Sequence, residues 1–158
     1  MTEPILTLLH RHPFIAAFQG AHVEKLAAMA TRVRFERDQV IFREGDDCSD
    51  FYLVVAGLVA LEIDEPDHVL RVHTLSAGDE LGWSALLMGQ GKHFQARALE
   101  RVEALALDGG ELLAACRKDP QFGFELMHHL LAVVAGRLQA TRLQVHDMYS
   151  PVAKRAGT

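Results

Sequence analysis

From Thr31 onward the chain alternates. In RVRFERDQVIFREGDD the apolar residues Val33 and Phe35, then Val40 and Phe42, take every second place. That is the two-residue period of strands with one buried face. Short β-branched and aromatic runs follow, DFYLVVAG, LVALEID and VLRVHTLS, divided by Gly45-Asp46-Asp47, Gly57, Glu65-Pro66-Asp67 and Gly78-Asp79. Turn residues at such intervals between short strands predict a sandwich or a barrel. Further on, FQARALE and EALALD predict one more hairpin-like pair. Upstream, Glu3 to Arg11 and Ala21 to Ala30 read as two short helices, with Val23, Leu26, Ala27 and Ala30 sharing a face in the second.

From Gly109 the period lengthens. GELLAACRKD predicts a short helix stopped by Pro120, and a second helix then runs over about 120–149 until Pro151. In it Met127, Leu131, Val134, Leu138, Thr141, Val145 and Met148 step alternately by four and three, a heptad seam. A second stripe, Leu126, Leu130 and Val133, covers only the first half. The expectation is that the first half packs on the β domain while the seam runs on and needs another helix. The same helix of a second copy, forming a homodimer, is the simplest partner. The predicted organisation is one module over 1–150, including this helix, and a tail over 151–158.

Composition narrows the classes. A chain of 158 residues can bury about two thirds of its unfolded surface without disulfides or metals. It is 49% hydrophobic and 23% charged, with a formal charge of −5, which argues against a general binder of nucleic acid or anionic membrane. Cys48 and Cys116 stand far apart and outside any CxxC pattern, so two free thiols are expected and an iron–sulfur cluster is not. The opening MTEPILTLLHRHPF lacks the shape of a signal peptide, and the longest apolar run, LVVAGLVAL, is too short for a bilayer. A cytoplasmic protein without membrane contact is expected.

The chemistry concentrates in DELGWSALLMGQGKHFQARALE, Asp79 to Glu100. A glycine precedes what reads as one helical turn, and a Lys-His-Phe run enters a strand. Such a layout suits an anion held on backbone N–H groups. With VIFREGDDCSDFYLVVAGLVAL upstream and RLQATRLQVHDMY downstream, this stretch resembles the cyclic nucleotide-binding domain, the effector module of catabolite-activator-type regulators, kinase regulatory subunits and gated channels. The resemblance implies an α+β fold: an antiparallel β-roll, jelly-roll-like (a double-stranded β-helix), with short N-terminal helices and a long dimerising helix.

The resemblance also implies a phosphate-binding cassette, here with altered side chains. The family's Phe-Gly-Glu corresponds to Leu81-Gly82-Trp83. Its glutamate accepts a ribose hydroxyl, which the donor-only indole of Trp83 cannot do. Glu80 is one strand step away and turned to the opposite face. Ser84, Ala85 and Leu86 form the cassette turn and offer backbone N–H groups. Lys92 stands at the phosphate-binding arginine, keeping the charge but losing the bidentate fork. His93 and Phe94 stand where the family has small or hydroxyl residues, Phe94 filling that space if it points inward, and Gln95 follows. Three outcomes fit: unaltered cAMP or cGMP binding, another small anionic or aromatic ligand held by Trp83, Lys92, His93 and Gln95, or a closed pocket serving as a scaffold. The second is the reading adopted, with no cofactor assigned. Leu131, Val134, Leu138, Thr141, Arg142 and Val145 are the expected helix cap and dimer seam, passing the signal to a protein partner.

Other functions find less support. Regulators with this domain carry a helix-turn-helix after the long helix, and the KRAG tail is no DNA reader, so direct DNA binding is not expected. Nine histidines suggest haem or metal, yet His128 and His129 project about 100° apart on a helix and cannot share an ion. His93, paired with His73, is the best metal-ligand candidate. No nucleophile elbow, HExxH or Walker loop is present, and Ser84 in GWSAL departs from GxSxG at its last position, so an enzyme is not expected.

Overall fold

The computed structural model describes residues 3–46, 50–86 and 94–149, with 141–149 described by backbone alone. Two helices, α1 (Ile5–Arg11) and α2 (Gly20–Met29), precede β1 (Thr31–Phe35), β2 (Val40–Phe42), β3 (Asp50–Ala56), β4 (Val59–Asp64), β5 (Val69–Leu75) and β6 (Glu80–Leu81). A 3-10 turn, Trp83–Leu86, β7 (Gln95–Ala98), β8 (Val102–Asp108), α3 (Gly109–Lys118) and α4 (Pro120–Tyr149) complete the order. The strands form two four-stranded antiparallel sheets, β1-β8-β3-β6 and β2-β7-β4-β5. This is the expected α+β, jelly-roll-like architecture with a long C-terminal helix. The chain divides into two compact units, Met1–Gly123 and Phe124–Thr158.

Alternation explains the layers. Val54, Val102, Ala104 and Leu81 of the first sheet meet Val59, Leu61, Leu75, Ala96 and Ala98 of the second in one buried cluster, flanked by Val33, Phe35, Ile41, Phe42, Tyr52 and Val72. These residues line the inside of the roll. The intervening residues of the first sheet, Phe51, Leu53, Leu105 and Leu107, point to its other face and are also fully buried. There Phe14, just after α1, packs its ring 5.7 Å from that of Phe51, and Leu9, Ile15, Leu26 and Leu112 are buried as well. A buried leucine contributes about 1.5–3 kcal/mol, so this second apolar layer holds the N-terminal helices in place.

One expectation fails. FQARALE and EALALD do not form a hairpin: β7 pairs with β2 and β4, whereas β8 pairs with β1 and β3 in the other sheet. Between them the Leu99 N–H bonds the Leu58 carbonyl, carrying the chain across the roll from one sheet to the other. Two strands separated by a short turn look alike in sequence whether they pair or cross over.

The helix ends follow local chemistry. Asp108 caps α3, accepting from the Glu111 N–H at 2.9 Å. Asp119 accepts from the Phe122 N–H at 3.3 Å with Pro120 in the first helical place of α4, and it also takes an ion pair from Lys25 at 2.8 Å. The Lys25 hydrogen bond, then that of Phe122, draws the Asp119 carboxyl below its ordinary range. In the second unit Phe124, Leu131 and Leu138 recur every seven residues with 72%, 65% and 62% of their surface exposed. Leu126 and Leu130 are buried, Met127, Val133 and Val134 are half-buried, and only Leu131 and Leu138 of the described seam are exposed. The side chains of Thr141, Arg142 and Val145 lie outside the described residues.

Candidate functional site

The cassette begins at β6, where Leu81 stands opposite Tyr52 and joins the buried cluster inside the roll. Glu80, one step back, stands opposite Leu53 on the other face and is buried there. Gly82 follows with φ +79°, a left-handed conformation that side-chain-bearing residues rarely adopt. It reverses the chain into the 3-10 turn, closed by the Ala85 N–H donating to the Gly82 carbonyl at 2.9 Å. From behind, α3 presses on this turn. A Cβ at Gly109 would lie 2.4 Å from the Ala85 carbonyl oxygen, so only glycine allows the approach.

The strand leading into the cassette is held by a buried histidine. The Phe14 N–H donates to His12 Nδ1 at 3.2 Å, which leaves Nε2 to carry the proton and donate to the Asp79 carbonyl, also at 3.2 Å. The same carbonyl accepts from the Val54 N–H at 2.8 Å. Burial is the largest influence on His12 and lowers its pKa, outweighing the carbonyls of Asp79 and Val54. Neutral His12 thereby ties the end of α1 to β3 and to the residue before β6.

The candidate side chains divide. Leu81, Ser84, Ala85 and Leu86 are buried, and Trp83 is half-buried. The Ala85 N–H, expected as a free donor for an anion, is committed to Gly82 within the turn. Phe94 leaves 36% of its surface exposed and is not part of the core. Gln95 is buried, but its amide nitrogen donates to Glu62 Oε1 at 2.9 Å, on the face opposite to Ala96 and the roll interior. Lys92 and His93 lie outside the described residues. His73, the other proposed metal ligand, is exposed on β5, and the described residues contain no group of three or more His, Cys, Asp or Glu placed to hold a metal ion.

Sequence reading missed a pair. Glu62 on β4 retains 1% of its surface and receives Arg97 of β7 in fork geometry: Nη2 to Oε2 at 2.6 Å and Nε to Oε1 at 3.1 Å. Arg97 also reaches Asp38 at 3.4 Å. The Arg97 hydrogen bond draws the Glu62 carboxyl below its usual range against the opposing effect of burial, with Gln95 adding to the lowering. The pair clamps β7 as it leaves the cassette. Its only sequence signal is an acid in LVALEID and a base in FQARALE, each inside an apolar run.

Among the described residues, the inside of the roll is apolar with an aromatic rim. The Tyr52 and Phe35 rings meet edge to face at 5.9 Å, with Phe42 half-buried nearby in the same group. Burial, reinforced by Asp50, pushes the Tyr52 phenol up to about 12, so it stays a neutral hydrogen-bonding group. Such an interior suits a flat apolar or aromatic body better than a dense array of charges.

Residues 32–119 match the family model described as cyclic nucleotide-binding domain. The chain is 25% identical over 143 residues to a protein of Rhodopseudomonas palustris assigned as a potassium channel, an alignment covering 90% of this chain and 34% of that one. It therefore spans about a third of that relative's length. Among solved structures, a cyclic nucleotide-binding protein of Geobacter metallireducens superposes with a TM-score of 0.74 at 24% identity, covering 87% of this chain and 99% of that chain. The catabolite activator protein of Thermus thermophilus gives 0.71 at 26% identity, covering 86% of this chain and 62% of that one.

Proposed function

The chain belongs to the cyclic nucleotide-binding domain family, and we propose that it senses a ligand other than cAMP or cGMP. In this reading the module over 1–150 takes a small aromatic or anionic molecule between Leu81 and Gln95 and signals through its dimer helix to a protein partner in the cytoplasm. One observation carries it. The turn-forming backbone of the cassette is in place, with Gly82 at φ +79° and the Trp83–Leu86 turn against Gly109, while the side chains expected to read a cyclic purine nucleotide are exchanged. Trp83 offers no acceptor for a ribose hydroxyl, and Gln95 is occupied by Glu62. Lys92 supplies the remaining charge.

The experiment is isothermal calorimetry with cAMP and cGMP. Dissociation constants no better than hundreds of micromolar are expected, because each unmatched buried polar group of the ligand forfeits about 1–3 kcal/mol. Nanomolar binding of either nucleotide overturns the reading and returns the protein to the standard members of the family.

A homodimer completes the proposal. The exposed Phe124 extends the heptad seam by one position upstream of Met127, and a second copy of the helix would cover it together with the exposed Leu131 and Leu138. Ligand can shift such a helix pair only by binding one arrangement more tightly than the other.

A further inference from the structure

On the outer face of the first sheet a cleft of about 560 Å³ opens beside α1, in the range of small-molecule sites. Its floor is apolar, made by Leu8, Val55, Ala56 and Leu105, and its rim carries Arg11, Arg32 and Arg34 together with the carboxylates Glu3 and Glu103. Register explains why these residues meet. Arg32 stands opposite Leu105 and Arg34 opposite Glu103, so both arginines share the face turned away from the roll interior, where Val33 and Ala104 point. Leu105 and Leu53 are fully buried on this face, whereas the strand ends around Arg34 and Glu103 are exposed. The cleft is the gap at that edge.

The three cations are not equally engaged. Arg11 is paired with Glu3 at 2.8 Å, and Arg34 reaches Glu103 only at 4.0 Å. Arg32 has no carboxylate partner among the described residues. A guanidinium over an apolar floor matches a planar anion joined to a hydrocarbon body: fork-to-fork bonding at one end, burial at the other. We propose that this cleft is a second binding site, separate from the cassette, for a small amphipathic carboxylate, its head on Arg32 and its body on the half-buried Val55 and Ala56.

The site goes beyond the cassette reading and does not depend on it. The test is a heteronuclear NMR titration of the full chain with hexanoate, with inorganic phosphate and 1-hexanol as controls for head and body alone. Hexanoate should shift the amides of Arg32, Val55 and Leu105 saturably, and more tightly than either control. Arg32→Gln should weaken it roughly three- to tenfold, the effect of one solvent-accessible charge-assisted contact. Arg32→Glu should abolish it while leaving 1-hexanol unaffected and the melting temperature unchanged. Phosphate binding as tightly as hexanoate, shifts confined to residues inside the roll, the absence of saturable shifts, or an Arg32→Glu variant that binds hexanoate normally would each overturn the proposal.

Discussion

Removing Arg97 tests whether the Glu62 clamp stabilises the second sheet. The Glu62 carboxylate is covered by neighbouring side chains rather than by depth. Arg97 and Gln95 lie across it, and Arg97 itself keeps 28% of its side chain in water. Arg97→Gln would take away its charge and both fork contacts, at 2.6 and 3.1 Å, leaving an anion with the Gln95 amide donor and only the weaker charge of Arg71 across on β5. Full burial of an unpaired charge would cost about 3–5 kcal/mol, but water can enter where Arg97 lay, so about 2–3 kcal/mol is the expected loss. For a chain of this size that lowers the melting temperature by about 5–10 °C. Glu62→Gln, which leaves behind only the partly solvated arginine, should cost less, about 1–2 kcal/mol. The double variant should lose less than the sum by about 1–2 kcal/mol, the coupling of groups in direct contact.

The assay is urea denaturation followed by the fluorescence of Trp83, repeated across pH. The sign follows from the carboxyl. Its folded pKa lies below the ordinary 4.5, so its contribution is present above that value and is lost as pH falls through the depressed one. The gap between wild type and Arg97→Gln should therefore narrow as pH falls, first as the underpaired carboxyl of the variant takes up a proton and then as the wild-type carboxyl does. A loss under about 0.5 kcal/mol, or a gap independent of pH below 4, would place the pair among exposed ion pairs of no consequence and refute the reasoning.

Three further outcomes are expected. Gly109→Ala should destabilise the protein by about 1–3 kcal/mol through overpacking, because its Cβ would meet the Ala85 carbonyl at 2.4 Å; thermal melting reads it, and an unchanged melting temperature contradicts the close approach. Leu138→Asp should shift sedimentation from two subunits to one, and a wild-type monomer would defeat the seam argument outright. His12 has a folded pKa below 6.5, so the unfolded chain takes up a proton first and stability should fall as pH drops from about 6.5 towards the lowered value; His12→Gln should flatten that slope in denaturation curves taken at several pH values.

The fold was legible because burial imposes periods on the chain. Val33 and Phe35 face the roll interior while Arg32 and Arg34 face away, which the alternation of β1 already predicts. Gly82, Gly57 and Gly45 all have positive φ, which is why turn glycines mark the strand boundaries so well. Pairing was less legible. Nothing in FQARALE and EALALD distinguishes a hairpin from a crossover, because either connection needs the same short turn. The Glu62–Arg97 clamp was invisible for a related reason. Two opposite charges in separate apolar runs become partners only once Glu62 is registered opposite Gln95 and Ala60 opposite Arg97. The candidate side chains of the cassette were readable as residue types but not as directions. Gln95 could be assigned to the ligand until its amide was found on Glu62.

These contacts imply a division of labour around the cassette. Its described ends are held by three contacts: His12 on the Asp79 carbonyl, Gly109 against Ala85, and Glu62–Arg97 on β7. None of the three places a free polar group inside the roll. In the proposed site an apolar interior would discriminate by shape and by the few polar groups beside it, among the described residues the neutral phenol of Tyr52. Such a site rejects extra hydroxyls only weakly unless they are left buried without partners, as the ribose of a cyclic nucleotide would be beside Trp83. Trp83→Glu should therefore restore an acceptor where the family has one and improve cAMP affinity by roughly tenfold, the worth of one charge-assisted hydrogen bond. Calorimetry on that variant decides the matter: if cAMP binds wild type and Trp83→Glu equally poorly, the exclusion lies in the shape of the roll, and the indole is not its cause.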